Sequence, residues 1–157
     1  MTKKNIFITV LTSIFIFLSI ILITYIILSK LNQNKEVKYF NYFLMNNGKE
    51  GEKTYLYIKS ISNVFAKDNK NGYYFASDGD YNYIVYLNEK KLEELLKKDL
   101  DEEKVQLYGV TKVTSDEVKK IALEKYNISS DKKITINEYS SYFGNLYLDL
   151  VNVKWNY

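Results

Sequence analysis

The feature that most constrains this chain is a long uncharged, apolar run near its amino end. The run extends from Ile6 to Leu28, and Lys3, Lys4 and Lys30 flank it. As an α-helix rising about 1.5 Å per residue it would be roughly 34 Å long, which exceeds a bilayer hydrocarbon core of about 30 Å. Its isoleucines favour strands in water, but in lipid only a helix satisfies its own backbone. The run therefore predicts a transmembrane helix with the lipid bilayer as its partner.

The surroundings of the run predict that it is an uncleaved anchor. It is longer than the apolar region of a signal peptide, which is about 7–15 residues, and no alanine precedes Ala66 to form a cleavage site. A short basic tail before a single long apolar helix stays in the cytoplasm, while long downstream domains are translocated. We therefore expect a single-pass plasma-membrane protein with a cytoplasmic amino terminus and an extracytoplasmic domain. Thr9 and Ser13 have the small-xxx-small spacing of helix dimers, although this spacing is common by chance.

This anchor divides the chain into three predicted parts. Residues 1–30 form the cytoplasmic tail and the anchor, 31–51 a linker or juxtamembrane helix, and 52–157 the extracytoplasmic domain. Within the linker, aromatic and apolar residues repeat at helical spacing before Asn47-Gly48: Tyr39, Phe40, Phe43 and Leu44. This spacing predicts a short helix packed on the domain, and an aromatic collar at the membrane interface is the alternative.

Composition excludes several classes of function. The chain has no Cys and no His, and all 22 basic residues are Lys. Disulfides, thiolate chemistry, imidazole metal ligands and a proton shuttle near neutral pH are therefore absent. Three lysines lie in residues 1–30, so 19 lysines remain against the 19 acidic residues, with the two signs interspersed. We therefore expect no nucleic-acid binding, no cofactor and no enzymatic activity.

The pattern beyond residue 52 predicts a small α+β domain with a mainly antiparallel sheet. Alternation of apolar and polar residues predicts strands over 54–66, 73–76, 81–87, 104–113, 133–136 and 145–155. One helix is expected after the N-cap Asn88, and another after a capping box of Thr114 and Glu117. Three strands, a helix and further strands also match the element order of an OB-fold barrel. The prediction is therefore a small sheet or OB-like barrel with two helices.

The stretch YYFASDGDYNYIVYL contains the one arrangement that suggests a metal site. Asp78, Asp80 and Asn82 have the spacing that begins a calcium loop, and Glu89 falls at its twelfth position. The sixth position, however, is Tyr83 rather than glycine, and the residues after it are predicted to form a strand. We therefore predict that Asp-Gly-Asp is a hairpin turn, with a weakly bound calcium ion as the alternative.

Other polar groups predict no catalytic, cofactor or metal site. The acidic run at residues 99–103 is typical of a solvated helix end. No histidine can act as a base for the paired serines Ser129, Ser130, Ser140 and Ser141. Asn127 begins a glycosylation sequon by form, and we attribute it to chance.

Tyrosine is the unusual residue of this chain, which contains sixteen. Many fall on predicted strands: Tyr55, Tyr57, Tyr73, Tyr74, Tyr81, Tyr83, Tyr86, Tyr108 and Tyr147. Tyrosine suits a half-buried sheet, and it is also enriched on surfaces that grip a protein partner. The tyrosines are therefore predicted either to build the sheet or to present a surface that stacks sugars or binds a protein.

The segments YYFASDGDYNYIVYL, VQLYGVTK, IALEKYN and YFGNLYLDL support a resemblance to a known family. Across residues 52 to 150 the chain resembles small membrane-anchored proteins of clostridia and related Gram-positive bacteria, whose domain has no known function. The resemblance implies a single-pass plasma-membrane protein and implies no activity.

These observations predict a binding or interaction module. Its partner would be a protein or a cell-wall component, held by exposed tyrosines. The alternative is a small membrane immunity or accessory subunit that acts through its transmembrane helix.

Overall fold

The computed structural model of the 157-residue chain describes residues 3–33, 37–100, 102–103 and 105–151, with side chains described only over 12–27 in the first of these ranges. The chain divides into two compact units, Met1–Glu36 and Val37–Tyr157. The end of the predicted final strand, residues 152–155, lies outside the described residues.

The first unit contains a single long helix, α1, over Lys3–Gln33. The prediction that the isoleucine-rich run is helical is therefore confirmed. Two hydroxyls within it bond back to the preceding turn, Ser19 to the Phe15 carbonyl and Thr24 to the Ile20 carbonyl, each at 2.8 Å. Such bonds satisfy polar side chains along an apolar helix.

The prediction of a membrane anchor is contradicted. Within the described part of the chain, no helix combines the length and the apolar character that a membrane crossing requires. This finding corrects the predicted span from Ile6 to Leu28, and with it the plasma-membrane location and the extracytoplasmic placement of the second unit.

The second unit is an α+β arrangement with one seven-stranded sheet. Its strands are β1 (Lys38–Tyr39), β2 (Lys53–Ile58), β3 (Ser60–Asp68), β4 (Asn71–Ser77), β5 (Asn82–Asn88), β6 (Val105–Val113) and β7 (Leu146–Asp149). Its helices are α2 (Tyr42–Asn47), α3 (Glu89–Leu96), α4 (Asp116–Ser129) and α5 (Tyr139–Phe143). Together with α1, the described residues therefore form five helices.

The order of the strands across the sheet is β1-β2-β6-β7-β5-β4-β3. Four neighbouring pairs are antiparallel, but β1 pairs with β2 and β5 pairs with β7 in parallel. The sheet is therefore mixed. The predicted fold class is right in being α+β and wrong in its anchor and in its count of two helices, whereas the OB-like barrel alternative stays a prediction.

The predicted long strand over 54–66 is broken at Lys59, and its two halves lie in different parts of the sheet. The first half, β2, pairs with β6, whereas the second half, β3, pairs with β4. At the break, the Lys59 amide donates to the Ser77 carbonyl at 2.7 Å. The sheet therefore curls until the end of β2 meets the end of β4.

Two helix starts show where local patterns sufficed and where they did not. The Asn88 side chain accepts the Lys91 amide at 2.8 Å and caps α3, as predicted. Helix α4 begins one residue later than expected, because Ser115 accepts the Val118 amide. Thr114 is buried instead, and its amide donates to the Asn145 carbonyl. The predicted capping box is therefore wrong.

The sheet separates two apolar cores. The first core lies on one face of the sheet, which packs with α2 and α3 around fully buried residues such as Met45, Leu56 and Leu87. The opposite face packs with α4 and α5 around Phe143, Ile84 and neighbouring aromatic residues. Because both faces of the central strands are covered, β5 is buried over five consecutive residues, and its sequence lacks the simple alternation of a strand with one wet face.

Candidate functional site

The Asp78 loop connects β4 to β5, which pair in antiparallel register up to Ser77 and Asn82. Asp78 Oδ1 accepts two backbone amides of the loop, that of Asp80 at 2.9 Å and that of Tyr81 at 2.8 Å. Gly79 has a φ of +102°, a conformation that glycine adopts without steric cost. The predicted hairpin turn is therefore confirmed.

The other carboxylate oxygen of Asp78 joins this turn to the rest of the sheet. Asp78 Oδ2 accepts the Tyr83 hydroxyl at 2.7 Å and the Tyr39 hydroxyl at 3.2 Å. Tyr83 is fully buried, whereas Tyr39 belongs to the edge strand β1. Four donors thus occupy this carboxylate. Within the described chain, no three His, Cys, Asp or Glu residues cluster as metal ligands would.

The ionisation of Asp78 is set by burial and by these donors. Burial raises the pKa of its carboxyl group, but the bonds from the Tyr81 amide, the Tyr83 hydroxyl, the Asp80 amide and the Tyr39 hydroxyl outweigh burial, so the net pKa is lowered. Burial and the bond to Asp78 raise the pKa of Tyr83. At neutral pH the carboxylate is therefore charged and the two hydroxyls are protonated donors.

This arrangement predicts an acid-sensitive fold. Because the pKa of Asp78 is lower in the folded chain than the unfolded value of about 3.9, its stabilisation is present above that value and is lost as pH falls through the folded pKa. We expect urea midpoints measured between about pH 5 and pH 2 to fall less steeply in Asp78→Asn than in the wild-type chain. Asp80→Asn should keep the wild-type slope. An Asp78→Asn slope equal to that of the wild-type chain would contradict the assignment.

Next to this loop, four tyrosine rings form a contiguous cluster, which we call the tyrosine surface: Tyr39, Tyr55, Tyr57 and Tyr108. Strand pairing places them together, because Tyr39 lies opposite Tyr55 and Tyr55 lies opposite Tyr108. Ring centroids are 5.5 Å apart for Tyr39 and Tyr55, 5.7 Å for Tyr55 and Tyr57, and 6.1 Å for Tyr55 and Tyr108. Tyr57 and Tyr108 are 38% and 39% exposed, so the cluster is open to a ligand.

A cavity of about 360 Å³ adjoins the tyrosine surface at the Asp78 loop. Its lining includes Tyr39 and Tyr57 together with Lys59, Asp78 and Asp80. The cavity thus combines aromatic faces with charges of both signs.

The Asp78 loop has an accessible aromatic residue of its own, Tyr81. The rings of Tyr42 and Tyr81 are 5.2 Å apart, and Phe43, at the start of α2, is 70% exposed. Accessible aromatic residues therefore also occur in the loop and on α2.

Other tyrosines on strands pack within the sheet, which is the first of the two predictions made for tyrosine. Tyr74 and Tyr83 are buried in the first core. Tyr73, Tyr86 and Tyr147 contact one another on the opposite face, with centroids 4.6 to 6.1 Å apart. The prediction that tyrosines build the sheet is therefore confirmed for these residues. Sequence alone could not place the exposed cluster, because the strand β1 that brings Tyr39 to Tyr55 has only two residues.

The sequon asparagine, the paired serines and the acidic run make local hydrogen bonds. The side chain of Asn127 makes two hydrogen bonds to the backbone of Ile134, both at 2.8 Å. Its Nδ2 donates to the Ile134 carbonyl, and its Oδ1 accepts the Ile134 amide. This pairing holds residues 133–136 in a loop rather than in the predicted strand. Ser129 bonds to the Lys125 carbonyl and Ser140 to the Asn145 side chain. Near the acidic run, Asp99 accepts the Glu102 amide.

Comparisons with protein-family models, curated proteins and solved structures found no match. The resemblance to the clostridial family therefore stays a prediction.

Proposed function

We propose that the second unit is a protein-recognition module that binds a partner polypeptide through the tyrosine surface. The observation that supports this most directly is the contact of four partly accessible tyrosine rings on adjacent strands. Tyrosine combines a large apolar ring with a hydroxyl group, and it is enriched where proteins bind proteins.

The tilts between the rings favour a polypeptide over a flat sugar chain. Neighbouring rings are inclined at 41° between Tyr39 and Tyr55, 44° between Tyr55 and Tyr108, and 81° between Tyr55 and Tyr57. A platform that stacks successive sugar rings needs ring faces in one plane. Tilted rings instead offer faces, edges and hydroxyl groups to a partner of irregular shape, such as apolar side chains on a polypeptide backbone.

The surface is also held in place before any partner arrives. Strand pairing fixes the backbones of Tyr55 and Tyr108, and the bond to Asp78 fixes the hydroxyl of Tyr39. Rigid aromatic side chains lose little conformational entropy on binding, so more of the contact energy remains as affinity.

A display experiment tests the proposal with a random peptide library in place of the natural partner. The full-length chain would be panned against the library, and the affinities of selected peptides would be measured for the wild-type chain, Tyr57→Ala and Tyr108→Ala. We expect each substitution to weaken binding about tenfold or more, because buried tyrosine contacts in interfaces are worth over about 1 kcal/mol. Leu96→Ala, at another side chain that is 61% exposed, should leave affinity unchanged.

Two outcomes would overturn the proposal. The first is a library that yields no peptide above background. The second is a set of peptides that bind both tyrosine variants as tightly as the wild-type chain. A parallel array of glycans addresses the alternative ligand, and glycan binding that is lost in Tyr57→Ala would assign the surface to sugars and reject the polypeptide.

A further inference from the structure

We propose a second binding site, independent of the tyrosine surface, that takes a single neutral sugar ring. The site is a cavity of about 270 Å³ between the sheet and the carboxyl-terminal part of α4. Side chains with hydroxyl and amide groups line it together with apolar side chains. This inference goes beyond the proposed recognition of a polypeptide and uses different residues.

Strand pairing places a row of polar side chains along one side of the cavity. Ser60 on β3 lies opposite Ser77 on β4, and Ser77 lies opposite Asn82 on β5. All three line the cavity, as do Ser62 of β3 and Tyr126 and Ser129 of α4. Six hydrogen-bonding side chains therefore line a space between a sheet and a helix.

Three of these side chains have polar groups available to a ligand. Among the described residues, the Ser60 hydroxyl, the Asn82 amide and the Tyr126 hydroxyl have no hydrogen-bond partner. The Ser77 hydroxyl already has two hydrogen-bond partners, because it donates to the Tyr81 carbonyl and accepts the Gly79 amide. The available groups include both donors and acceptors, as the hydroxyls of a sugar require.

Part of the cavity lining is aromatic. The rings of Phe75 and Phe143 lie 5.0 Å apart and only 28° from parallel, and both line the cavity. Phe143 is fully buried, and Phe75 is stacked on Phe65 as well as on Phe143, so these rings pack on one another. Together with Ile61 and Ala76 they give the cavity an apolar wall for the C–H groups of a sugar.

Size and charge narrow the ligand class. None of the described residues that line the cavity is charged, so it offers no partner for a phosphate or a carboxylate. At roughly 30 Å³ per water molecule in the liquid, the volume holds the equivalent of about nine waters. This is close to the volume of one six-membered sugar ring.

The test is saturation-transfer NMR on the full-length chain with glucose, galactose, N-acetylglucosamine and ribose. We expect at least one sugar to bind in the millimolar range, as few contacts over a small ligand allow. Tyr126→Phe removes one hydroxyl and keeps the ring that packs on Phe143, and it should weaken binding about threefold to tenfold. Asn82→Ala should weaken it similarly.

A matched control variant and a set of disaccharides make the test more specific. Tyr142→Phe removes a hydroxyl from a neighbouring tyrosine outside the lining of the cavity, and it should bind like the wild-type chain. Disaccharides of the same sugars distinguish the source, since binding to both would indicate the end of a glycan and binding to the monosaccharide alone would indicate a free sugar. Absence of saturation transfer to every sugar, or binding by Tyr126→Phe and Asn82→Ala that is as tight as binding by the wild-type chain, would overturn the proposal.

Discussion

Replacing Gly144 with alanine is expected to lower the free energy of unfolding by about 3–5 kcal/mol. Gly144 has a φ of +70°, and an added Cβ would lie 1.9 Å from Met45 Cγ and 2.7 Å from the Met45 carbonyl oxygen. The Met45 side chain is fully buried, and its carbonyl accepts the Asn145 amide at 3.0 Å. Neither group can move without opening the first core or breaking the link between α2 and β7.

A matched glycine separates the clash from the backbone strain. Gly51 has a φ of +84°, but no atom lies within 4 Å of an added Cβ. Gly51→Ala should therefore cost only the conformational penalty of about 1–2 kcal/mol. Urea denaturation of both variants measures the difference. Equal losses of stability would show that the contact between Gly144 and Met45 does not confine this position.

Asp78→Ala is expected to cost about 3 kcal/mol of unfolding free energy. The substitution removes the acceptor of two loop amides and two tyrosine hydroxyls. The Tyr83 hydroxyl would lose its carboxylate acceptor in a fully buried position, and removing the acceptor of a buried donor costs more than the lost bond.

Two further variants identify the origin of that loss. Asp80→Ala removes an exposed carboxylate from the same turn and should change stability by less than about 0.5 kcal/mol. Tyr83→Phe combined with Asp78→Ala removes both partners, and it should recover part of the loss. Equal stability of Asp78→Ala and the wild-type chain in urea denaturation would reject Asp78 as the link between the hairpin and β1.

The elements that sequence reasoning locates correctly are those with a local cause. Asn88 caps α3 through a side chain three residues from its partner. The hairpin between β4 and β5 follows from Asp78 and Gly79 in adjacent positions. Helix α2 ends at Gly48 as the Asn-Gly pair predicts. In each case the deciding contacts lie within about four residues, so a single sequence contains the required information.

The predictions that fail depend on contacts between distant residues. Nothing within 54–66 indicates that β2 pairs with β6 and β3 with β4. Thr114 does not cap α4 because its amide is held by Asn145. The parallel pairing of β5 with β7 joins residues more than sixty positions apart. For the same reason the sequence predicts the abundance of tyrosine on strands but not the place where the tyrosine surface forms.

The turn at Lys59 has a consequence for how the second unit folds. Two strands that follow each other in the chain, β2 and β3, must find their partners in different parts of the sheet, β6 and β4. A local hairpin cannot supply the hydrogen-bonding partner of β2, because that partner, β6, comes after β5 in the chain. Closing such long loops costs conformational entropy before the contacts between the strands form and offset that cost. Domains rich in distant strand pairings therefore fold slowly. During synthesis the β4–β5 hairpin can form early, while β2 waits unpaired for the arrival of β6.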